Sequence, residues 1–121
     1  MTHRELYRYL EEKMPRALSC AWDNDGLMCC PDGGREVRRV LVALDVTAEA
    51  VRYAVEGGYD VIVSHHPMIF KGLKAINDEH YVADKAMTLI REWISVMSFH
   101  TRLDAVEGGV NDTLANLLGL S

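Results

Sequence analysis

Short apolar runs alternate with amphipathic segments along this chain. Three runs, at about residues 39–44, 60–63 and 94–99, predict strands because they are rich in apolar and β-branched side chains and are bounded by polar or turn-forming residues. The middle run is continuously apolar rather than alternating, which is typical of an interior strand covered on both faces. A shorter segment after the polar turn at residues 22–26 predicts a further strand at the edge of the sheet.

Helical patterns lie between and around these runs. Thr2 and Glu5 have the spacing of a capping box and predict a first helix. Further helices are predicted over residues 47–56, 79–93 and 109–118. The resulting order βαβαβα predicts an α/β fold in which a mostly parallel sheet, built from right-handed βαβ crossovers, has helices on both faces.

Length, charge and cysteine content narrow the classes of function. A chain of 121 residues with 49% hydrophobic content fits a single α/β domain over residues 1–121. A net charge of -5 without a run of Lys or Arg argues against nucleic acid as a partner. No apolar run approaches the roughly 18 residues that cross a bilayer, so no membrane partner is expected. The odd number of cysteines, without zinc-site spacing, indicates reduced thiols, and we expect a cytoplasmic protein.

Candidate metal ligands follow each of the three predicted parallel strands. Asp45 comes after the first strand, His65 and His66 after the second, and His100 with Asp104 after the third. Open α/β sheets bind ligands outside the carboxyl ends of their strands, so these five side chains are expected at one edge. Imidazole and carboxylate groups are ligands of zinc, iron, manganese and nickel. The pattern therefore predicts a divalent metal site.

Structural interpretations compete with this one. A histidine at a strand end is more often a hydrogen-bonded structural residue, and it is the convergence with His100 and Asp104 that favours a metal. Asp45 directly precedes a capped helix, so its favoured role is to stabilise the turn at that point. At most, we expect it to orient a histidine or a water at the metal site without binding the metal itself. His3 and His80 fall in helical segments and are expected at the surface.

Several motifs resemble those of the Nif-three-like family, whose members are often called GTP cyclohydrolase I type 2 homologues. The segments that carry the resemblance are WDNDGL at 22–27, ALDVT at 43–47, VSHHP at 63–67, FKGLK at 70–74, HTRLD at 100–104 and GVNDTLA at 109–115. They cover nearly the whole chain in the expected order. The resemblance implies an α/β fold with a dinuclear metal centre and assembly into ring-like homohexamers.

The resemblance also implies roles for individual residues. His65 and His66 would each bind one of two divalent ions, Asp104 would bridge the ions, and His100 would lie beside the centre. Family members are longer, and their second half supplies a His and a Glu spaced four apart. This chain has no HxxxE pattern after Asp104, so it resembles the N-terminal half of the family and carries part of the ligand set. One or two ions per subunit are expected.

These observations predict a metal-dependent hydrolase, in which the ion lowers the pKa of a bound water to about 7 and His100 acts as general acid or base. The resemblance implies a purine nucleotide as substrate. Lys71 and Lys74 could attract an anionic group, but solvated lysines of a loop are the favoured interpretation of these two residues. The alternative is a non-catalytic metal-binding scaffold or regulatory interaction protein. A Rossmann-type nucleotide-binding module is disfavoured because the turn at residues 45–48 lacks the glycines that let a pyrophosphate approach the backbone.

Overall fold

A four-stranded mixed sheet forms the centre of the molecule. The computed structural model describes residues 1–120. The strands are β1 (Gly26–Cys29), β2 (Val40–Ala43), β3 (Val61–Ser64) and β4 (Ser95–Ser98), and their order across the sheet is β1-β4-β3-β2. β2, β3 and β4 are parallel, whereas β1 pairs with β4 in the antiparallel direction. The predicted α/β fold with a mostly parallel sheet is confirmed.

Within residues 1–120 the sheet is accompanied by five α-helices: α1 (His3–Lys13), α2 (Ala48–Glu56), α3 (Tyr81–Arg91), α4 (Thr101–Ala105) and α5 (Val110–Leu117). The capping box predicted for α1 is present, because Thr2 and Glu5 exchange backbone and side-chain hydrogen bonds. α4 was not predicted from the sequence, since its five residues are too few to show a helical period. None of the helices in the described part of the chain is long and apolar enough to cross a membrane.

The two faces of the sheet bury separate apolar clusters. On one face Ile62 and Val96 pack with side chains from α2 and α3, and on the other Val61 and Met97 pack with side chains from α1. Val61 and Ile62 are both fully buried, so β3 is the interior strand that its continuous apolar run predicts. Burial of a side chain such as Ile62 contributes about 1.5–3 kcal/mol to stability.

The antiparallel direction of β1 determines what lies at the functional edge of the sheet. Gly26, the first residue of β1, pairs with Ser98 at the end of β4, so the residues before β1 lie beside the carboxyl ends of the parallel strands. Gly26 has a φ of 115°, and a Cβ at this position would lie 2.7 Å from the Tyr7 hydroxyl. Only glycine therefore allows β1 to begin at this point.

His3 differs from its predicted position. It begins α1 but is fully buried rather than exposed, and its Nδ1 lies 2.7 Å from the Ser95 hydroxyl at the start of β4. Its Nε2 has no hydrogen-bond partner within residues 1–120. Burial lowers the pKa of His3, because the charged imidazolium would lose its hydration. His80 is exposed, as predicted.

Candidate metal centre

Three imidazoles meet at the carboxyl edge of the sheet. His65 and His66 directly follow β3, and His100 directly precedes α4. One ring nitrogen from each of the three lies within 4.8 Å of those of the other two. The histidines that were predicted at two different strand ends, His65 and His66 after β3 and His100 after β4, are therefore brought together.

The backbone after β3 explains how two adjacent histidines reach the same place. The strand ends at Ser64, so the strict alternation of side chains between the two faces of a sheet ends there as well. The Ser64 hydroxyl donates a hydrogen bond to the His66 carbonyl oxygen at 2.9 Å, and the His66 N–H donates to Leu44 at 3.0 Å. These bonds hold the chain in a turn, and the two rings lie 5.1 Å apart, centroid to centroid.

Each of the three rings has an oxygen at its Nδ1. The partners are the Phe99 carbonyl for His65 at 3.0 Å, Asp45 for His66 at 2.6 Å and Asp23 for His100 at 3.1 Å. A carbonyl or an ionised carboxylate can only accept, so a neutral imidazole in each position carries its proton on Nδ1. The Nε2 lone pair of each ring is then left to bind a metal.

Asp104 lies beside the first of these lone pairs. Its Oδ1 is 3.4 Å from Nε2 of His65, and α4 holds it there. Because the Phe99 carbonyl already requires the proton of neutral His65 on Nδ1, this contact brings two electron-rich atoms together. A bound cation, or a second proton on His65, would satisfy both. This juxtaposition and the donor set of imidazoles and a carboxylate fit a divalent transition metal.

Asp23 orients His100. Its side chain is fully buried, and besides the His100 ring it accepts hydrogen bonds from the Thr101 N–H at 3.1 Å and the Thr101 hydroxyl at 2.6 Å. Burial alone would raise the pKa of this carboxyl group, but the hydrogen bonds from Thr101 and His100 outweigh it and lower the pKa to about 2. His100 therefore rests against a carboxylate that stays ionised at neutral pH.

A buried ion pair holds the backbone at His100 in place. The Arg102 guanidinium donates two hydrogen bonds to Asp25, from Nε at 3.0 Å and from Nη2 at 2.8 Å, and both side chains are almost completely buried. Asp25 also accepts from the His100 N–H at 2.9 Å. Burial opposes ionisation of Asp25, but its bonds with Arg102 and His100 lower the pKa overall. We call this arrangement the Asp25–Arg102 pair.

The candidate centre contains residues that were predicted from the sequence and residues that were not. The predicted residues His65, His66 and His100 meet, Asp104 adjoins His65, and Asp45 contacts His66. Their roles in metal binding and catalysis stay predictions. Sequence reasoning missed Asp23, Asp25 and Arg102. The available signal was the alternation of two acidic residues directly before the edge strand, but it indicates a site only when that strand is known to run antiparallel.

Curated relatives match the chain over most of its length. It is 42% identical over 118 residues to a "GTP cyclohydrolase 1 type 2 homolog" from Staphylococcus aureus strain Mu50, with 96% of this chain and 31% of that protein covered. It is 35% identical over 121 residues to a protein of the same name from Clostridium perfringens strain 13, with 100% of this chain and 46% of that protein covered. The chain thus spans less than half the length of these relatives.

Solved structures match the fold closely. A Bacillus cereus protein related to NIF3 has a TM-score of 0.89 at 38% identity, with 100% of this chain and 33% of that chain covered. Reduced HcgD from Methanocaldococcus jannaschii has a TM-score of 0.91 at 28% identity, with 100% of this chain and 48% of that chain covered. The family model described as Duf34/NIF3 (NGG1p interacting factor 3) matches residues 1–121. On these grounds the chain belongs to the Duf34/NIF3 family.

Proposed function

We propose that this protein is a metal-dependent hydrolase whose ion is held by His65, His66 and Asp104. The observation that carries the proposal is the meeting of three imidazoles, each with its Nδ1 bonded to an oxygen, with Asp104 3.4 Å from Nε2 of His65. Structural histidines usually use their ring nitrogens in hydrogen bonds within the protein. Here one ring nitrogen of each histidine instead lies within 4.8 Å of those of the other two.

Each residue has a distinct task in this proposal. A bound divalent ion supplies a water of lowered pKa and polarises the bond to be cleaved. Asp45 keeps His66 in the tautomer that offers Nε2. His100 is left to take up and release a proton as general base and acid, and the ionised carboxylate of Asp23 orients its ring for that role.

A nucleotide is the substrate class that the relatives suggest. Proteins named "GTP cyclohydrolase 1 type 2 homolog" are 35–42% identical to this chain over nearly its whole length. GTP is therefore the first compound to assay, followed by other nucleotides and phosphoesters. Because the chain spans less than half of those relatives, the reaction is proposed for this site and is to be measured on this chain directly.

Elemental analysis of purified variants tests the metal site. We expect the wild-type protein to take up divalent metal, and His65→Ala/His66→Ala to lose it because two of the three ligands are gone. His80→Ala is the matched control, since His80 is an exposed histidine outside the cluster and should leave uptake unchanged. Stoichiometric metal in the double variant would contradict the proposed ligands.

The variant His100→Ala tests whether His100 binds the metal or acts as an acid–base group. In our proposal His100 exchanges protons, so His100→Ala should retain the metal and lose turnover. Loss of metal from His100→Ala would instead make His100 a ligand, as its distance from the other two imidazoles allows. Asp104→Asn should lose both metal and turnover.

A non-catalytic metal-binding scaffold is the second candidate. The observation in its favour is that His100 and Asp104 flank Arg102, whose pair with Asp25 belongs to the buried framework, so a metal bound there would also brace the fold. Metal-dependent melting without turnover of nucleotides or phosphoesters would support this scaffold. Turnover that disappears in Asp104→Asn supports the hydrolase.

A further inference from the structure

A wide cleft next to His66 has a charge opposite to that of the protein as a whole. We propose that it binds the phosphate groups of a ligand through Lys71, Lys74 and Lys85. The assignment of that ligand as the substrate rests on the proposed function, but the anion site itself depends only on the residues of the cleft. In this proposal Lys71 and Lys74 bind phosphate groups, and they are joined by Lys85, which the sequence alone does not indicate.

The cleft lies between the segment after β3 and the beginning of α3. It has a volume of about 1050 Å³, and its walls include His66 and Asp45 from the candidate metal centre. The Asn24 side chain donates a hydrogen bond to the Ile69 carbonyl oxygen at 2.6 Å, which ties the cleft wall to the turn that carries Asp23. A ligand in this cleft would therefore adjoin the imidazole cluster.

Positive charge is concentrated in this cleft. The chain has a net charge of -5 and four lysines, and three of the four line the cleft. The lining carboxylates are Asp45 and Glu79, and Asp45 is already bonded to His66. Within residues 1–120, none of the three ammonium groups forms a salt bridge with a carboxylate. The cations are thus available to an anion from outside.

Lys85 is held in place by the fold. Its ammonium group lies 5.3 Å from the centre of the Tyr81 ring and donates to the Val46 carbonyl oxygen at 2.6 Å. A lysine ammonium has three N–H donors, so two remain after this bond. Burial lowers the pKa of Lys85, while the charge of Asp45 opposes that effect. An anion in the cleft would compensate the partly desolvated ammonium.

The number of cations identifies the class of ligand. A single carboxylate carries one charge, whereas phosphate and oligophosphate groups carry two or more and present several acceptor oxygens. Lysine binds phosphate as a point charge and needs no fixed bidentate geometry. Three lysines around one cleft therefore favour a phosphorylated ligand over a simple carboxylate.

Isothermal titration with inorganic triphosphate, in EDTA to remove metal, tests the site on the protein as it stands. We expect saturable binding that weakens as salt is added. Lys71→Gln/Lys74→Gln should weaken it at least about tenfold, since each lost charged contact is substantial. Arg8→Gln/Lys13→Gln is the matched control, because it removes the same charge from exposed positions of α1 outside the cleft and should change the affinity less than about twofold.

Three results would overturn the site. They are the absence of saturable binding to the wild-type protein in EDTA, equal weakening in both double variants, and, in a parallel titration with divalent metal in place of EDTA, binding that requires the metal and is unchanged in Lys71→Gln/Lys74→Gln. The last result would leave the proposed metal chemistry intact. Conversely, a wild-type protein that takes up no divalent metal but still binds triphosphate would refute the hydrolase and keep the anion site. Titrations with GTP and guanosine distinguish the source of the phosphate, since a nucleotide ligand predicts that GTP binds at least as tightly as triphosphate and guanosine does not bind.

Discussion

Histidine and aspartate side chains lie at both ends of the parallel strands, but those at the amino end have structural contacts and those at the carboxyl end are accessible to a ligand. At the amino end, His3 is fully buried against Ser95, and Asp60 accepts the backbone N–H groups of Arg38 and Arg39 at 2.7 and 2.9 Å. At the carboxyl end, His65, His66 and His100 keep side-chain exposures of 19%, 46% and 22%. Both ends combine imidazoles with carboxylates. Only the carboxyl end leaves ring nitrogens that a ligand can reach.

Access and the direction of the lone pair therefore distinguish a site from a structural residue more clearly than residue type does. The Nε2 of His3 lacks a hydrogen-bond partner in the described chain, yet the residue is enclosed and no solute can approach it. At the carboxyl end, one ring nitrogen from each of three histidines lies within 4.8 Å of the other two, and all three side chains are partly exposed. Substitutions at the two ends should therefore have separable effects on stability and on metal binding.

The largest effect is expected from Arg102→Met. It leaves the Asp25 carboxylate buried without its cationic partner, and breaking a buried pair in this way costs about 3–5 kcal/mol of unfolding free energy. Urea denaturation measures the loss. Arg91→Met, at an exposed position of α3, is the control and should change stability by less than about 0.5 kcal/mol. A loss below about 1 kcal/mol in Arg102→Met would mean that the pair is not a framework element.

His3→Ala is expected to affect stability and leave metal uptake unchanged. Loss of a buried ring and of its bond with Ser95 should cost about 2–4 kcal/mol. His65→Ala/His66→Ala should show the reverse pattern, with metal uptake lost and stability nearly kept, since both side chains are partly exposed. Urea denaturation and elemental analysis of the same preparations compare the two. A His3→Ala protein that folds but binds no metal would contradict the separation of the two ends.

Asp45→Asn should weaken metal binding about tenfold, because an amide does not hold His66 in the correct tautomer as firmly as a carboxylate. Loss of a hydrogen-bond partner of a metal-binding histidine weakens metal affinity by about 10–100-fold. We expect the lower value here, since the Asp45 side chain is 51% exposed and water can replace it. Competition with a chelator of known zinc affinity gives the ratio. Asp84→Asn on α3 serves as control, and equal affinities of all three proteins would exclude an orienting role for Asp45.

The smallest expected effect is a change in the pH dependence of stability. Burial lowers the pKa of His3 below its usual value of 6.5, so the unfolded chain takes up a proton more readily than the folded one. The wild-type protein should then keep its full stability above about pH 6.5 and lose part of it as the pH falls below that value. His3→Asn should lack this component between pH 8 and pH 5 in urea denaturation. Parallel pH profiles for the two proteins would show that His3 titrates as in the unfolded chain.

The sequence was sufficient for the parts of the fold that depend on local pattern. The capping box at Thr2, the continuous apolar run of β3 and the strand-end positions of His65 and His66 could all be predicted, because each follows from adjacent residues. The burial of His3 could not, since it depends on where α1 docks onto the sheet.

The partners of His100 were also beyond local reasoning. Asp23 reaches the site because β1 runs antiparallel to β4, and the sequence of a short edge strand does not encode its direction. The contribution of Asp25 depends in turn on Arg102, which precedes Asp104 in a helix too short to be predicted. The residues that position the site are therefore harder to find than the candidate ligands.

The Asp25–Arg102 pair has a consequence for how the protein folds. Its two members are 77 positions apart in the chain, and the bond between Asp23 and His100 spans the same distance. Closing a loop of that length carries an entropic cost that no local contact offsets, so long-range contacts of this kind form slowly. During synthesis, the candidate metal centre can be completed only after residue 104 has left the ribosome, and a shorter ribosome-bound chain would have His65 and His66 without Asp104.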